Sequence, residues 1–282
     1  MSFKPHALAL ADFYKVSHPA MLPEGITKLY SNFTPRSNRL APAAVSNEAG
    51  GKIDRIVFWK LQALIKEWLI EYFNENFFAK SKEEIVAEYN RINDGAIGPG
   101  AVLPDHIAAL HDLGYLPLRI KALPEGSLVD MKVPVFTVVN THPDFAWLSG
   151  RLEDLFSCEL WKGITAATVA FEYRQLFEKY ADRTGSPKDF VLWQGHDFAL
   201  RGTGGMMEGA ANQAGHLLSF LGTDTIPSIL YLEHYYGGKN TFVGGSVPAS
   251  EHSVATANIL LIEQSLRETG QWNGMTVEEL ST

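Results

Sequence analysis

The length and composition of the chain exclude several classes of protein. It has 282 residues, 46% hydrophobic and 20% charged, which is typical of a globular protein of about two domains. Its single cysteine, Cys158, excludes an internal disulfide and a multi-cysteine metal site. The formal net charge of −8 argues against broad binding to nucleic acids or anionic membranes. The N-terminal apolar stretch is too short for a signal peptide and no apolar run could cross a bilayer, so we expect a cytoplasmic protein.

The first part of the sequence predicts a mixture of strands and helices. Alternating or valine-rich runs predict strands, and apolar residues at helical spacing predict amphipathic helices. In chain order the predicted elements are a strand over 28–34, a helix over 54–73, a surface helix over 81–91, a loop over 93–104, strands over 116–123 and 133–139, and helices over 147–161 and 169–180. The turn at residues 185–187 (GSP) ends the last helix.

The sequence changes character after Gly185. A short apolar strand over 190–193 runs into a loop at His196, and helices follow over 208–220, 226–235 and 253–268. Such strand–loop–helix units indicate parallel α/β architecture with a site where the strands end. We therefore place a domain boundary near residue 185, with an α+β domain over 1–185 and a parallel α/β domain over 186–282. Residues 271–282 predict no clear structure.

Three short segments in the second part carry the residues best suited to chemistry. They are residues 195–202 (GHDFALRG), 222–225 (GTDT) and 248–252 (PASEH). Together they supply an aromatic ring, an arginine, carboxylates and histidine in segments rich in Gly, Thr and Ser. A ring can stack on a flat ligand, and a guanidinium can hold phosphate oxygens through paired hydrogen bonds. The combination favours a site for a heteroaromatic ring beside a phosphorylated sugar.

An ordered set of motifs along the chain resembles the nicotinamide phosphoribosyltransferase family. The motifs are residues 12–18 (DFYKVSH), 121–126 (KALPEG), 163–168 (GITAAT), 196–202 (HDFALRG), 222–225 (GTDT) and 245–253 (GSVPASEHS). The resemblance implies an α+β domain followed by the first part of an irregular α/β barrel, as in type II phosphoribosyltransferases. It also implies a pentosyltransferase of NAD salvage that makes nicotinamide mononucleotide from nicotinamide and phosphoribosyl pyrophosphate. It further implies Mg²⁺ bound with the donor, ATP as an optional coupled substrate, and a head-to-tail homodimer with the active sites at the subunit interface.

The resemblance assigns the ring-binding residues. Phe198 and Tyr14 would sandwich the pyridine ring, with Tyr14 supplied by the neighbouring subunit. Asp224 would accept the amide N–H of nicotinamide and repel the carboxylate of nicotinate. Taken alone, each aromatic residue is better explained as a core residue, and it is the motif context that favours the ring-binding role. Asp224 is also consistent with an N-cap of the following helix, and both of its roles can coexist.

The remaining assignments concern phosphate and ATP. Arg201 is the expected phosphate clamp and Arg36 a second one, although solvated surface arginine is the alternative for each. Ser246 would line the ring or ribose pocket. His252 is the counterpart of a histidine that ATP phosphorylates, and Glu251 could orient its ring; a structural histidine is the alternative. No protein ligands for a metal are assigned.

The sequence departs from the family pattern in three ways. Leu200 stands where tyrosine is common, the segment over 202–205 is more glycine-rich than usual, and glycine-rich phosphate loops are missing after Ser253. The last departure predicts a fragment or split protein that needs a complementing C-terminal half and is weak or inactive alone. Nicotinate phosphoribosyltransferase, which shares the fold and the donor, is the other alternative.

Overall fold

The computed structural model describes residues 3–37 and 54–281. These residues form two compact units, which divide between Gly245 and Ser246. The first unit contains a short helix α1 (His18–Met21), strands β1 (Tyr30–Phe33) and β2 (Arg55–Val57), and helix α2 (Leu61–Leu64), which continues with π-helical geometry over Ile65–Tyr72 and Asn74–Phe78. The next elements are α3 (Lys82–Ala96), α4 (Asp105–Leu113), β3 (Leu118–Ala122), β4 (Leu128–Asp130) and β5 (Phe136–Asn140). The first unit ends with helices α5 (Leu148–Arg151), α6 (Glu153–Thr184), α7 (Lys188–Gln194), α8 (Met206–His216) and α9 (Ile226–Tyr236).

A three-stranded antiparallel sheet with the order β1-β5-β3 carries the first hydrophobic core. Alternation along β5 buries Phe136, Val138 and Asn140 on one face. Phe33 pairs with Phe136 across the sheet, and their rings stack with centroids 5.1 Å apart. The buried Asn140 side chain accepts from Leu29 N at 2.9 Å, which attaches the segment before β1 to the sheet. The sheet thus holds the N-terminal region against the helices.

Helix α6 joins the three hydrophobic clusters of the first unit. Its N-terminal half contributes Phe156 and Ile164 to the first core, whereas Ala167 packs with α8 and α9, and Ala170 belongs to the third cluster. Gly185 ends the helix in the left-handed conformation that favours glycine, at φ +73°. The sequence predicted this stop but divided the helix in two. The domain boundary near residue 185 stays a prediction.

Two predicted elements were wrong, each for a local reason. The apolar residues over 190–193 were predicted as a strand, yet they lie in helix α7, which begins after Pro187 and has Asp189 in its first turn. A short apolar run does not distinguish a strand from a buried helix by periodicity. The start of the helix predicted over 54–73 is instead strand β2, in which Val57 pairs with Leu128 of β4.

Other predicted bounds shift by a few residues. Helix α3 extends to Ala96, into the predicted loop over 93–104, and begins at an N-cap in which Ser81 accepts from Glu84 N. The mixed α/β class is confirmed. The last unit contains α10 (His252–Thr269), a hairpin of β6 (Gln271–Trp272) and β7 (Met275–Thr276), and α11 (Val277–Leu280). This hairpin and a capping box at Thr276 give structure to a segment for which none was predicted.

Candidate functional site

Three backbone segments of the first unit run side by side and parallel at the predicted site. Asp197 bridges to Thr223, and Gly222 bridges to Gly245. Asp197 N donates to Gly222 O at 3.1 Å, and Thr223 N donates to Gly245 O at 2.9 Å. The HDFALRG and GTDT motifs therefore lie next to each other, with Gly245 on the far side of GTDT. Parallel pairing of this kind is the arrangement that the sequence predicted for the second part of the chain.

A buried carboxylate joins the first two segments. Asp197 is only 5% exposed. Its Oδ1 accepts from Ala199 N at 2.9 Å, and its Oδ2 accepts from Thr225 Oγ1 at 2.6 Å and from Thr223 Oγ1 at 3.1 Å. Three donors on one buried carboxylate fix the relative position of the residues that flank it.

His196 and Asp224 form a hydrogen-bonded pair above this network. The His196 Nε2–H donates to Asp224 Oδ1 at 2.8 Å. Gly222 allows this approach, since a Cβ there would lie 2.6 Å from His196 Nδ1. The hydrogen bond from His196 holds the Asp224 carboxylate in a fixed orientation. Because a carboxylate has about four lone-pair sites, the Asp224 carboxylate can accept hydrogen bonds from more than one donor.

Phe198 presents its ring to solvent next to this pair. The side chain is 68% exposed, and its ring centroid lies 4.7 Å from that of His196. An aromatic ring left this exposed is an available stacking surface rather than part of the core. The structure thus excludes the core alternative for Phe198 within this unit, and both Phe198 and Asp224 contact His196.

Arg201 lies on the single helical turn Ala199–Gly202 that follows Phe198, and it is exposed. The next residues are held by side-chain contacts. Thr203 Oγ1 donates to Leu200 O at 2.8 Å, and Gly204 N donates to Glu208 Oε1 at 3.3 Å. A hydrogen bond from Lys162 lowers the pKa of Glu208, so this anchor is a carboxylate at neutral pH. The turn that carries Arg201 is therefore attached to helices α6 and α8.

An open cleft of about 580 Å³ lies between these two helices and residues 195–204. His216 lines it and donates from Nε2 to Gly195 O at 2.7 Å. Burial lowers the pKa of His216, which keeps the ring neutral. A Cβ at Gly195 would lie 2.5 Å from the ring of Phe220, so glycine is required where the chain approaches this cleft.

Tyr14 and Arg36, the two candidate residues from the N-terminal region, are exposed in the first unit. Tyr14 is 56% exposed; its ring meets His18 edge-on at 5.4 Å, and the ammonium of Lys15, which pairs with Glu153, lies 4.8 Å from its centroid. Arg36 is exposed after β1. Within residues 3–37 and 54–281 of one chain, Tyr14 makes no ring contact with Phe198. The expected contribution of Tyr14 from a neighbouring subunit stays a prediction, as does the phosphate role of Arg36.

Ser246 and His252 belong to the second unit. His252 is exposed at the first position of α10, directly after the N-cap residue Glu251. The Glu251 carboxylate accepts a hydrogen bond from Ser253 Oγ. In the described part of this unit it makes no ion pair with His252, so the structure gives no support to the expected orientation of His252 by Glu251. The roles of Ser246 and His252 stay predictions.

Two residues in the parallel segments were missed as candidates. His196 and Asp197 stand inside a recognised motif, but only Phe198 and Arg201 were selected from it. The sequence did carry one signal for Asp197. It lies between His196 and Phe198, and the two threonines of GTDT have hydroxyl groups that can donate to its carboxylate. The pairing itself depends on contacts between residues 26 to 28 positions apart.

Two kinds of arrangement are absent from the described residues. Within residues 3–37 and 54–281, no group of three or more His, Cys, Asp or Glu side chains is arranged to hold a metal ion. No helix in the same residues has the length and apolar character needed to cross a membrane.

Comparisons with known proteins agree with the motifs. The family described as "Nicotinamide phosphoribosyltransferase, N-terminal domain" matches residues 6–94. A nicotinamide phosphoribosyltransferase of Acinetobacter baylyi is 51% identical over 254 residues, which cover 90% of this chain and 49% of that protein. A protein of the same name from Xanthomonas campestris pv. campestris is 29% identical over 91% of this chain and 50% of its own length.

The fold also matches a solved structure. The crystal structure of human nicotinic acid phosphoribosyltransferase superposes with a TM-score of 0.54 at 16% identity, over 88% of this chain and 40% of that one. This likeness supports the fold alone. The chain spans about half the length of the curated relatives it matches. The resemblance found in the motifs is confirmed: the chain is related to the N-terminal part of the nicotinamide phosphoribosyltransferases.

Proposed function

We propose that this chain is part of a glycosyltransferase that transfers phosphoribosyl from phosphoribosyl pyrophosphate to nicotinamide. The products are nicotinamide mononucleotide and pyrophosphate, as in NAD salvage. The observation that carries the proposal is the constellation in the parallel segments: an exposed Phe198 ring, an Asp224 carboxylate oriented by His196 at 2.8 Å, and Arg201 on the next turn. The names and identity of the curated relatives support the same activity.

The constellation has the chemistry that the two substrates need. The pyridine ring stacks on Phe198, and its amide N–H donates to Asp224. The ring nitrogen then forms a bond to the anomeric carbon as the bond to pyrophosphate breaks, and pyrophosphate leaves with the electron pair. The product ring becomes a pyridinium, which gains a cation–π attraction of about 0.5–2 kcal/mol on Phe198. No protein nucleophile is needed, because catalysis comes from positioning and charge stabilisation.

Magnesium fits this scheme as an ion that arrives with the donor. The Asp197 carboxylate is occupied by three protein donors, and Asp224 is bound to His196. The described residues therefore do not build a protein cage for Mg²⁺, which commonly keeps several waters and binds mainly substrate phosphates. When bound it would neutralise charge on the departing pyrophosphate. We also propose ATP as an optional coupled substrate that phosphorylates the exposed His252.

We infer that the active site is completed by other polypeptide. Tyr14 is exposed, and within one chain it makes no ring contact with Phe198, which supports a homodimer in which each ring slot draws Tyr14 from the partner. The coverage of about half of each relative supports a complementing C-terminal half. The cytoplasmic location expected from the sequence stays a prediction.

The test of the activity is product formation with and without that second half. The chain is assayed with nicotinamide, phosphoribosyl pyrophosphate and Mg²⁺, alone and together with a polypeptide matching the remaining half of the Acinetobacter baylyi relative. We expect nicotinamide mononucleotide from the combination and little from the chain alone. Faster formation of nicotinate mononucleotide from nicotinate would support the nicotinate enzyme instead. No product from any combination would contradict the proposal and favour an inactive fragment.

The phosphate role of Arg201 gives a separate prediction. Arg201→Ala is expected to raise the KM for phosphoribosyl pyrophosphate about 10- to 100-fold, because a charge-assisted hydrogen bond contributes roughly 1.5–3 kcal/mol. The KM for nicotinamide should change little. Arg119→Ala, which removes an exposed arginine from β3, is the matched control. Equal KM values for the donor in both variants would remove Arg201 from the phosphate site.

A further inference from the structure

The N-terminal motif DFYKVSH is attached to helix α6 at two points. Residues Phe13–Lys15 of the motif form a single 3₁₀ turn. Before this turn, Asp12 N donates to Asp154 Oδ2 at 2.9 Å. At the end of the turn, the ammonium of Lys15 donates to the Glu153 carboxylate. Both acceptors lie in the first turn of α6, so one helix holds both ends of the 3₁₀ turn.

The Lys15 side chain is buried, which is rare for lysine unless its charge is paired. Lys15 is only 3% exposed. Burial alone would lower the pKa of Lys15, but its contacts with Glu153 and Tyr14 and the charge of Asp154 raise the pKa overall, so the ammonium is charged at neutral pH. Because a buried charge is costly without a partner, the ammonium is confined to the position where Glu153 reaches it.

The Tyr14 ring depends on this ammonium for its direction. Tyr14 is 56% exposed, so burial in the core does not hold the ring. The Lys15 ammonium lies 4.8 Å from the ring centroid, a cation–π distance, and the His18 ring meets Tyr14 edge-on with centroids 5.4 Å apart. Ser17 Oγ donates to Tyr14 O at 3.4 Å, which holds the backbone of the same residue. Lys15 thus connects an exposed ring to a carboxylate on a rigid helix.

We propose that Lys15 and Glu153 are positioning residues, which hold the Tyr14 ring in the direction needed to stack on the pyridine ring of the base. The inference rests on the proposed role of Tyr14 in the ring slot of a neighbouring subunit. Glu153 fixes the ammonium, and the ammonium fixes the ring. A ring that is oriented before the base arrives loses less rotamer freedom on stacking. In this scheme neither Lys15 nor Glu153 touches the base or the donor.

The first experiment measures the orientation of the ring in the chain alone, without substrate. The nuclear Overhauser effect between the aromatic protons of Tyr14 and His18 reports their edge-on contact. We expect this signal in the unchanged protein and in Lys15→Arg, which keeps the ion pair, and its loss in Lys15→Met. Persistence of the signal in Lys15→Met would show that the pair does not orient the ring and would overturn the proposal.

Two further variants separate this effect from a general effect on folding. Because loss of the buried Lys15 could impair folding, Glu153→Ala removes the partner whose side chain is 58% exposed, and it should also abolish the signal. Lys82→Met removes a different ion pair, with Asp112 of α4 at 2.7 Å, and should keep the signal. If the signal disappeared in Lys82→Met as well, it would report only general stability, and the positioning role would be refuted.

The second experiment distinguishes a positioning role from a structural one in the complemented enzyme, which is the chain combined with the second half. Glu153→Ala should raise the KM for nicotinamide about three- to tenfold, the effect of one impaired aromatic stack, and leave the KM for phosphoribosyl pyrophosphate within about twofold. In a Tyr14→Ala background the same change should have no further effect, because it acts only through that ring.

The kinetic outcomes can be told apart from a failure of the proposed activity. Additive effects of Glu153→Ala and Tyr14→Ala, or equal rises in both KM values, would make Lys15 and Glu153 structural anchors and would contradict the proposal. If no combination forms product, the proposed activity fails, whereas the signal between Tyr14 and His18 still decides whether the ion pair orients the ring.

Discussion

Replacing Asp224 with serine is expected to reduce the selectivity for nicotinamide over nicotinate by about 100-fold, near the upper end of the roughly 1.5–3 kcal/mol that a charge-assisted hydrogen bond contributes. Two effects add. The nicotinamide amide loses the acceptor that His196 holds in place at 2.8 Å. The nicotinate carboxylate loses the negative charge that repels it. The measurement is the ratio of kcat/KM for the two bases in the complemented enzyme.

The control for Asp224→Ser is the same change at an exposed carboxylate. Asp189 lies in the first turn of helix α7, and Asp189→Ser should leave the ratio unchanged. A second variant, His196→Gln, keeps a side-chain donor for Asp224 but alters its aim, so an intermediate loss of selectivity is expected. Unchanged selectivity in Asp224→Ser would remove Asp224 from the amide site, even if the overall rate falls.

The sequence predicted the fold best where local chemistry and burial agree. Helix α9 was predicted over 226–235 and is observed over Ile226–Tyr236, since proline at the second helical position and Gly237 at its end define both limits. The strand predicted over residues 190–193 was wrong because a four-residue apolar run is consistent with either a strand or a helix. The break predicted within α6 was wrong, since Glu153–Thr184 forms one helix that passes through Gly163, where a Cβ would lie 3.3 Å from the side chains of Trp59 and Lys60.

The candidate site was predictable in composition but not in connectivity. Phe198 and Asp224 follow from their motifs, since a ring and a carboxylate in glycine-rich segments suit a pyridine amide. His196 and Asp197 could not be assigned from the residue pattern, because each acts through a partner in the next parallel segment. The burial of Arg151 on helix α5 is likewise invisible in the sequence, where it resembles any other helical arginine.

Asp197→Ala is expected to cause the largest loss of stability among changes in the parallel segments. The substitution leaves Ala199 N, Thr223 Oγ1 and Thr225 Oγ1 without their acceptor, and all three bonds converge on a side chain that is 5% exposed. At about 1–3 kcal/mol for each buried donor, partly recovered by rotation of the hydroxyls, the free energy of unfolding should fall by about 3–5 kcal/mol. The melting temperature should fall by about 10 °C.

A graded series separates this network from a general effect of mutating the site. Thr225→Val removes one donor at nearly constant volume and should cost about 1 kcal/mol. Asp197→Asn keeps an acceptor for Ala199 N but replaces the other acceptor oxygen. Its loss of unfolding free energy should therefore lie between the losses for Asp197→Ala and Thr225→Val. Chemical denaturation of all three variants gives the order directly. If Asp197→Ala were no less stable than Thr225→Val, the carboxylate would not hold the segments together. The positions of Phe198 and Asp224 would then have to depend on the backbone bonds alone, among them Asp224 N to Asp197 O at 2.9 Å.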